Sequence, residues 1–252
     1  MPRDLKGIGQ YPFVPWERLY PAISWRQGQH VFCCGGTGSG KSTVAGKFLN
    51  RRARVVVCVS KGYDEIFDKP PYKDYERITR WPPPRKAERV ILWPKNAKTI
   101  PETRKGKQAI FSEMFDDILL RRGHWCIDVD EEHYMADSLG LDREIVDVLE
   151  QGRSYGISVW NNSQRPSSIP LATYVNSMHF FLFQTQEEYD VRRLGRIGNK
   201  HTNADELMVN LDKLESFRTH EFIYMDRTGR IPPVRSIVTT PKRRTKNGGN
   251  SR

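Results

Sequence analysis

Cysteine is scarce in this chain, whose 252 residues contain four. Cys33, Cys34, Cys58 and Cys126 each lie in an apolar stretch typical of a strand, and none has the paired spacing of zinc ligands. This spacing excludes the common zinc-binding modules. We therefore expect buried, reduced thiols, which suit a cytosolic compartment.

Long apolar segments are also missing. No apolar run reaches the roughly 18 residues that a membrane-spanning helix needs, so no transmembrane segment is expected. Residues 1–4 do not lead into the apolar stretch of a signal peptide, so none is expected either. A mean hydropathy of −0.66 and 28% charged residues favour a soluble protein. The length favours one α/β domain with extensions over two compact domains.

Acidic residues are the minority charge. Asp and Glu number 30 against 41 Lys and Arg, which gives a net charge of +11 and a pI near 9.6. This balance predicts a polyanionic partner, nucleic acid first, although a surface that serves only solubility would look the same. Residues 95–107 carry five of the basic side chains and are a candidate contact for a phosphate backbone, or simply a solvated loop.

The clearest motif is the glycine-rich segment 35–42, which matches G-x-x-x-x-G-K-[ST]. An apolar strand is predicted before it, at 30–34, and a helix after it, to residue 51. In that context the backbone N–H groups converge on an anion, Lys41 reaches the β- and γ-phosphates, and Ser42 holds Mg²⁺. The alternative is a glycine-rich turn that merely contains a lysine. The predicted ATP contacts are Gly35, Gly36, Thr37, Gly38, Ser39, Gly40, Lys41, Ser42 and Thr43.

Hydrophobic periodicity predicts the fold class. Strands are predicted at 30–34, 53–60, 89–93, 125–129, 157–161, 178–184 and 220–225, with helices at 42–51, 108–121, 139–151, 186–195 and 203–214. Their alternation indicates an α/β fold: a mainly parallel sheet between layers of helices, with the motif at the carboxyl end of the first strand. This is the arrangement of a P-loop NTPase.

Four segments make up the predicted domain organisation. Residues 1–29, rich in proline and aromatics, are expected to form an arm with few regular elements that packs on the core. The P-loop ATPase domain is expected at 30–238, with a proline-rich insert at 61–87 that runs over the surface. Residues 239–252, basic and containing a Gly-Gly pair, are expected to be a disordered tail.

Acidic residues follow the predicted strand 125–129. In a Walker B arrangement we expect Asp130 to hold Mg²⁺ and Glu131 to act as the base that deprotonates the attacking water. Asp128 also follows an apolar run, so the register could start there. A solvated acidic turn is the structural alternative.

Two further residues are candidates for catalysis. Gln164 follows the predicted strand 157–161, and its amide, which both donates and accepts, could distinguish ATP from ADP. Arg153 sits where a helix is predicted to end, and in a ring it could reach the nucleotide of a neighbouring subunit. Surface capping of the helix end is the alternative for Arg153.

Together, segments 35–42, 130–133, 153–157 and 163–166 resemble the HerA/FtsK superfamily of DNA-pumping ATPases, over about residues 30–226. The nearest resemblance is to compact viral genome-packaging ATPases and related plasmid or phage proteins. Three residues depart from the family pattern: Glu132 replaces a small residue, Ser163 replaces Thr, and Asp128 interrupts the apolar strand.

The resemblance implies a homo-oligomeric ring, a hexamer or pentamer, that moves double-stranded DNA by hydrolysing ATP with Mg²⁺. It also implies that the protein acts in the host cytoplasm, in association with the virion, where its partners would be capsid vertex proteins or a viral membrane. Arg153 is then the first choice for the finger that acts on a neighbour, with Arg165, Arg192 and Arg193 as alternatives.

Other functions remain open. A plasmid or mobile-element DNA-transfer ATPase, or a secretion ATPase, would share these motifs. An assembly protein that binds nucleic acid and is regulated by ATP is a second alternative, and a monomeric P-loop kinase or GTPase is a third. The guanine motif is missing from the candidate stretch 199–202, which lacks its Asp.

Overall fold

A computed structural model describes residues 8–185, 187–195, 197, 203–215 and 219–238. The predicted tail lies outside these residues. The described chain forms one nine-stranded sheet in the order β3-β4-β2-β5-β6-β1-β7-β8-β9. Its strands are β1 (His30–Cys34), β2 (Val55–Cys58), β3 (Glu76–Ile78), β4 (Arg89–Leu92), β5 (Cys126–Val129), β6 (Ser158–Ser163), β7 (Ser177–Phe183), β8 (Glu221–Asp226) and β9 (Val234–Ile237).

The sheet is parallel from β3 to β7, and β8 and β9 continue it in antiparallel pairing. The helices are α1 (Trp16–Ala22), α2 (Lys41–Leu49), α3 (Ile100–Asp117), α4 (Asp142–Gln151), α5 (Leu171–Asn176), α6 (Glu188–Gly195) and α7 (Ala204–Asp212). The α/β class with a mainly parallel sheet is therefore confirmed.

Alternate residues of β2 show how the layers form. Val55 and Val57 pack into the hydrophobic cluster that contains Phe48 of α2. Val56 points the other way, into the cluster that contains Phe111 of α3. Both faces of the strand are buried, so its residues form a continuous apolar run, as expected for a parallel sheet covered by helices.

The N-terminal arm contains a short helix, α1, which the sequence analysis did not locate. Helix α1 packs Trp16 edge-on against Phe48 and Phe222, with ring centroids 6.1 and 5.9 Å apart. Trp16 and Leu19 are buried. Burial of these side chains, rather than local propensity in a stretch that contains Pro21, stabilises the helix.

The insert 61–87 does not run over the surface throughout, so that prediction was wrong in part. Four of its five aromatic side chains are buried: Phe67, Tyr72, Tyr75 and Trp81. The segment Glu76–Ile78 also forms β3, the edge strand beside β4. The insert therefore closes one end of the sheet.

The basic segment 95–107 is not a loop throughout. Helix α3 begins at Ile100, because the Thr99 side chain accepts a hydrogen bond from Glu102 N at 3.4 Å and Pro101 suits the first turn. Lys107 is only 4% exposed, and its ammonium donates to Ser60 O at 2.6 Å. It is thus withdrawn from the predicted phosphate contact, whereas Arg104 and Lys105 are exposed.

Helix α3 also ends earlier than predicted, at Asp117, and a π-helical turn continues it over Ile118–Arg122. Besides α1, the sequence analysis missed three short strands or helices: β3, β9 and α5. Across the described residues, no helix combines the length and apolarity required to cross a bilayer.

Candidate active site

The glycine-rich loop joins the carboxyl end of β1 to the amino end of α2. Gly38 and Gly40 have φ angles of 79° and 108°, which L side chains rarely adopt. Gly40 caps α2, whose first N–H groups have no partner within the helix. These groups and the helix dipole favour an anion at this point.

Lys41 lies across the loop. Its ammonium donates to Gly35 O at 2.6 Å and to Gly36 O at 3.0 Å. Burial lowers the pKa of Lys41, and the negative charges of Glu131 and Asp130 oppose that shift. The ammonium thus sits among weak carbonyl acceptors, which a phosphate would outcompete.

The two candidate aspartates occupy different places. Asp128 lies within β5 and is buried, and its Oδ1 accepts from Asn162 Nδ2 at 2.8 Å. Asp130 lies just past the strand and lines the same cavity as Ser42. This placement favours Asp130 over Asp128 as the residue that faces a bound nucleotide.

Gln164 connects the glycine-rich loop to the acidic segment after β5. Its backbone N–H donates to Glu131 Oε1 at 3.3 Å, and its side-chain Oε1 accepts from Thr37 Oγ1 at 2.9 Å. Burial raises the pKa of Glu131, while the hydrogen bond from Gln164 opposes the shift. A raised pKa makes Glu131 a better proton acceptor than an ordinary surface carboxylate.

The glycine-rich loop, Asp130 and Gln164 line a cavity of about 350 Å³, which is within the range of small-molecule sites. It is lined by Thr37, Gly38, Ser39, Gly40, Lys41, Ser42, Thr43, Lys61, Asp64, Glu65, Ile66, Asp130, Gln164 and His220. Most of the predicted ATP contacts and the metal candidate Asp130 are thus brought together, with Gln164 between them and Glu131.

The donor set fits Mg²⁺ bound together with phosphates. Ser42 and Asp130 offer a hydroxyl and a carboxylate oxygen, the ligand types that Mg²⁺ prefers. Within the described ranges, no group of three or more His, Cys, Asp or Glu side chains could hold a metal by itself. The Lys61 ammonium lies 3.0 Å from Asp130 Oδ2, so this carboxylate already faces a cation.

Arg153 lies away from this cavity. It is exposed in the turn Gly152–Tyr155 before β6, whereas Gln164 follows the end of β6. The six residues of the strand separate the two by about 20 Å. Arg153 therefore does not reach the cavity beside its own P-loop. Its position is consistent with capping of the helix end at the surface or with a role toward another subunit.

The alternative arginines lie at or near the carboxyl edge. Arg165 is exposed and lines a neighbouring cavity with Gly36 and Thr37. Arg192 pairs with Glu188 on α6. The Arg193 guanidinium lies 5.1 Å from the centre of the Tyr174 ring.

Sequence reasoning missed five residues of the cavity wall: Lys61, Asp64, Glu65, Ile66 and His220. Lys61 and Asp64 follow the carboxyl end of β2, next to β5 in the sheet, and that position was the available signal. His220 precedes β8 and has a φ of 56°. No local sequence motif predicts that it lies at the cavity.

A parallel sheet with a phosphate-binding loop after its first strand and acidic residues after a neighbouring strand defines the P-loop NTPase fold. No protein-family model matches the sequence, and no curated protein is similar enough to be matched. Solved structures are similar in fold. The DNA-packaging ATPase B204 of Sulfolobus turreted icosahedral virus superposes with a TM-score of 0.61 at 13% identity, over 84% of this chain and 98% of that one.

Two further structures share the fold. The genome-packaging NTPase B204 of Sulfolobus turreted icosahedral virus 2, in complex with AMPPCP, gives a TM-score of 0.54 at 12% identity, over 82% of this chain and 96% of that chain. The cytoplasmic domain of the type VII secretion ATPase EccC from Thermomonospora curvata gives 0.55 at 15% identity, over 86% of this chain and 26% of that chain. These likenesses establish a shared fold.

Proposed function

We propose that this protein is an ATPase that hydrolyses ATP to ADP and phosphate and uses the energy to move double-stranded DNA. The observation that carries the ATPase proposal is the hydrogen-bonded link Thr37–Gln164–Glu131. It holds the base candidate beside the phosphate-binding loop. A P-loop kinase would need a phosphate acceptor in that position rather than a carboxylate.

Each residue has a part in the proposed reaction. The loop N–H groups and Lys41 bind the phosphates, and Lys41 leaves the carbonyls of Gly35 and Gly36 to do so. Ser42 and Asp130 would hold Mg²⁺, which neutralises charge on the phosphates. Glu131 accepts the proton of the attacking water, and Gln164 responds to the loss of the terminal phosphate.

Charge and exposure support DNA as the partner. The chain carries +11, and Arg104 and Lys105 project from the exposed side of α3. Contacts of this kind go to phosphates and carry no sequence preference. The two B204 proteins, whose fold this chain shares, are a DNA-packaging ATPase and a genome-packaging NTPase.

We further propose a homo-oligomeric ring, hexameric or pentameric, in which Arg153 completes a neighbour's site. Packaging of a viral genome, in the host cytoplasm and at a capsid vertex or viral membrane, is the form of DNA transport that we favour. A DNA-transfer or secretion ATPase is the second candidate, because the fold is shared with EccC.

The test is ATP turnover with and without duplex DNA, combined with native mass measurement in the presence of a non-hydrolysable ATP analogue. We expect a ring with DNA bound and turnover that duplex DNA stimulates. Lys41→Ala should abolish turnover, whereas Lys47→Ala, on the same helix but outside the cavity wall, should retain it. Turnover that ignores DNA would instead favour an ATP-regulated assembly protein.

A salt titration tests the DNA contact itself. Binding of duplex DNA should weaken as salt rises, with a slope of about −0.9 per phosphate contact in a log–log plot. Replacing Arg104 and Lys105 with Ala should make the slope shallower by about two units. An unchanged slope would remove α3 from the DNA-binding surface.

A further inference from the structure

The positively charged side chain of Lys61 lies next to Asp130, the metal-ligand candidate. Its ammonium lies 3.0 Å from Asp130 Oδ2 and 3.4 Å from Asp64 Oδ2. Asp130 is only 7% exposed, while the Lys61 side chain is 39% exposed. A carboxylate buried to that degree is costly unless it is paired with a positive charge. Lys61 supplies that charge.

The backbone around Lys61 is fixed from two sides. Trp93 Nε1 donates to Lys61 O at 2.6 Å, and the buried Lys107 ammonium donates to Ser60 O at 2.6 Å. The backbone of Lys61 is therefore fixed just beyond the carboxyl end of β2, next to β5, and only its flexible side chain can move. This is a built position rather than a chance contact between surface charges.

We propose that Lys61 is a resident cation that competes with the divalent metal for Asp130, so that the metal binds only together with a nucleotide. The inference rests on the proposed function, in which Asp130 and Ser42 hold Mg²⁺. Without a nucleotide the protein offers the metal two ligands, and an ammonium already forms an ion pair with one of them. Phosphate oxygens add ligands, and the balance then favours the metal.

The displaced ammonium stays within the same cavity. Lys61 lines it together with Lys41 and the loop residues Thr37 and Gly38. A phosphate oxygen there is the natural new partner for the lysine, because its four-carbon stem reaches in several directions. Lys61 is thus a positioning residue that makes metal and nucleotide arrive as a pair.

The test measures Mn²⁺ binding to nucleotide-free protein by the electron paramagnetic resonance signal of the free ion. Lys61→Met should bind Mn²⁺ about tenfold more tightly than the wild type, which corresponds to one charge–charge contact. Lys73→Met is the matched control: it removes the same charge from the same insert, at an exposed residue outside the cavity wall. Its Mn²⁺ affinity should equal that of the wild type.

Adding Asp130→Asn to Lys61→Met should abolish the gain and so locate it at that carboxylate. If Lys61→Met does not fold, Lys61→Gln, which is neutral and can still donate to Asp130, takes its place. Equal Mn²⁺ affinities for the wild type and the neutral variant would overturn the inference. Because the wild type would still hydrolyse ATP in that case, this failure is distinct from failure of the proposed function, in which the wild type shows no ATP turnover.

Discussion

The backbone N–H of Gln164 donates to Glu131 Oε1 across 3.3 Å, although the two residues are 33 positions apart. The contact follows from the parallel pairing of β5 with β6, in which Val129 lies opposite Asn161. Both strands end at the same edge of the sheet, so the residues that follow them meet. The base candidate is thereby held in place by main chain rather than by a mobile side chain.

We expect Glu131→Gln to bind ATP with little change and to hydrolyse it roughly 10²–10⁴-fold more slowly, because the amide keeps the acceptor for Gln164 N–H but cannot take a proton. Phosphate release and analogue binding measure the two effects separately. Glu150→Gln makes the same substitution at an exposed position at the end of α4 and should leave turnover unchanged. Unchanged turnover in Glu131→Gln would reject Glu131 as the base.

Much of this site could be predicted from the sequence, because its parts are local motifs attached to buried strands. A strand such as β2 is a continuous apolar run, and the residue after such a run lies at a sheet edge. Once the sheet is parallel, the loop at 35–42, Asp130 and Gln164 must share that edge. No long-range information is needed to bring them together.

The remainder depends on tertiary contacts that have no local signature. Lys107 looks like Arg104 and Lys105 in the sequence, yet its position on α3 directs it inward to Ser60 O. The insert looks polar and proline-broken, yet Tyr72 is buried and its hydroxyl donates to Ser42 O at 3.0 Å. The role we propose for Lys61 depends on its contact with Asp130, which the sequence around Lys61 does not predict.

Arg153 should act between subunits, since it lies at the amino edge of the sheet, opposite its own P-loop. We expect Arg153→Ala and Glu131→Gln each to lose ATP turnover alone and to regain part of it when mixed. In a mixed ring, an intact Glu131 from one variant meets an intact Arg153 from the other. Turnover against mixing ratio is the measurement.

Arg143→Ala is the control for this experiment, because it removes an exposed arginine from the neighbouring α4. It should remain active alone, and mixing it with the inactive Glu131→Gln should only dilute that activity, with no gain above the amount that the Arg143→Ala subunits supply. If no mixture of Arg153→Ala with Glu131→Gln exceeds the sum of its parts, the shared site is excluded for Arg153. Arg165, Arg192 and Arg193 would then be tested in the same way.

His30 should make stability depend on pH. Burial lowers its pKa from 6.5 to about 4, and its Nδ1 accepts from Val159 N at 3.0 Å, which requires the neutral ring. Between pH 6.5 and pH 4 this histidine is protonated in the unfolded chain but neutral in the folded chain. The stability contributed by the neutral ring is therefore full above pH 6.5 and falls as the pH drops toward 4. The loss should reach about 2 kcal/mol by pH 5.

Urea unfolding at pH 7 and at pH 5 measures this effect. His30→Gln should reduce the difference between the two free energies of unfolding, because an amide can accept from Val159 N without titrating. His179, whose pKa burial also lowers to about 4, contributes to both proteins and cancels in the comparison. His124→Gln replaces an exposed ring and should keep the wild-type difference. An unaltered difference in His30→Gln would contradict the assignment.

Alanine substitutions at two helical glycines, Gly46 and Gly106, separate the effect of close packing by the insert on stability from the effect of helix propensity. A Cβ on Gly46 of α2 would lie 2.8 Å from Cγ and Cδ of Pro71, whereas a Cβ on Gly106 of α3 would meet nothing within 4 Å. Gly106→Ala should therefore stabilise the protein by about 0.5–1 kcal/mol. Gly46→Ala should destabilise it by about 1–3 kcal/mol, because the insert must shift away from α2. The free energies of unfolding in urea measure both, and stabilisation by Gly46→Ala would mean that the insert is not held against the P-loop helix.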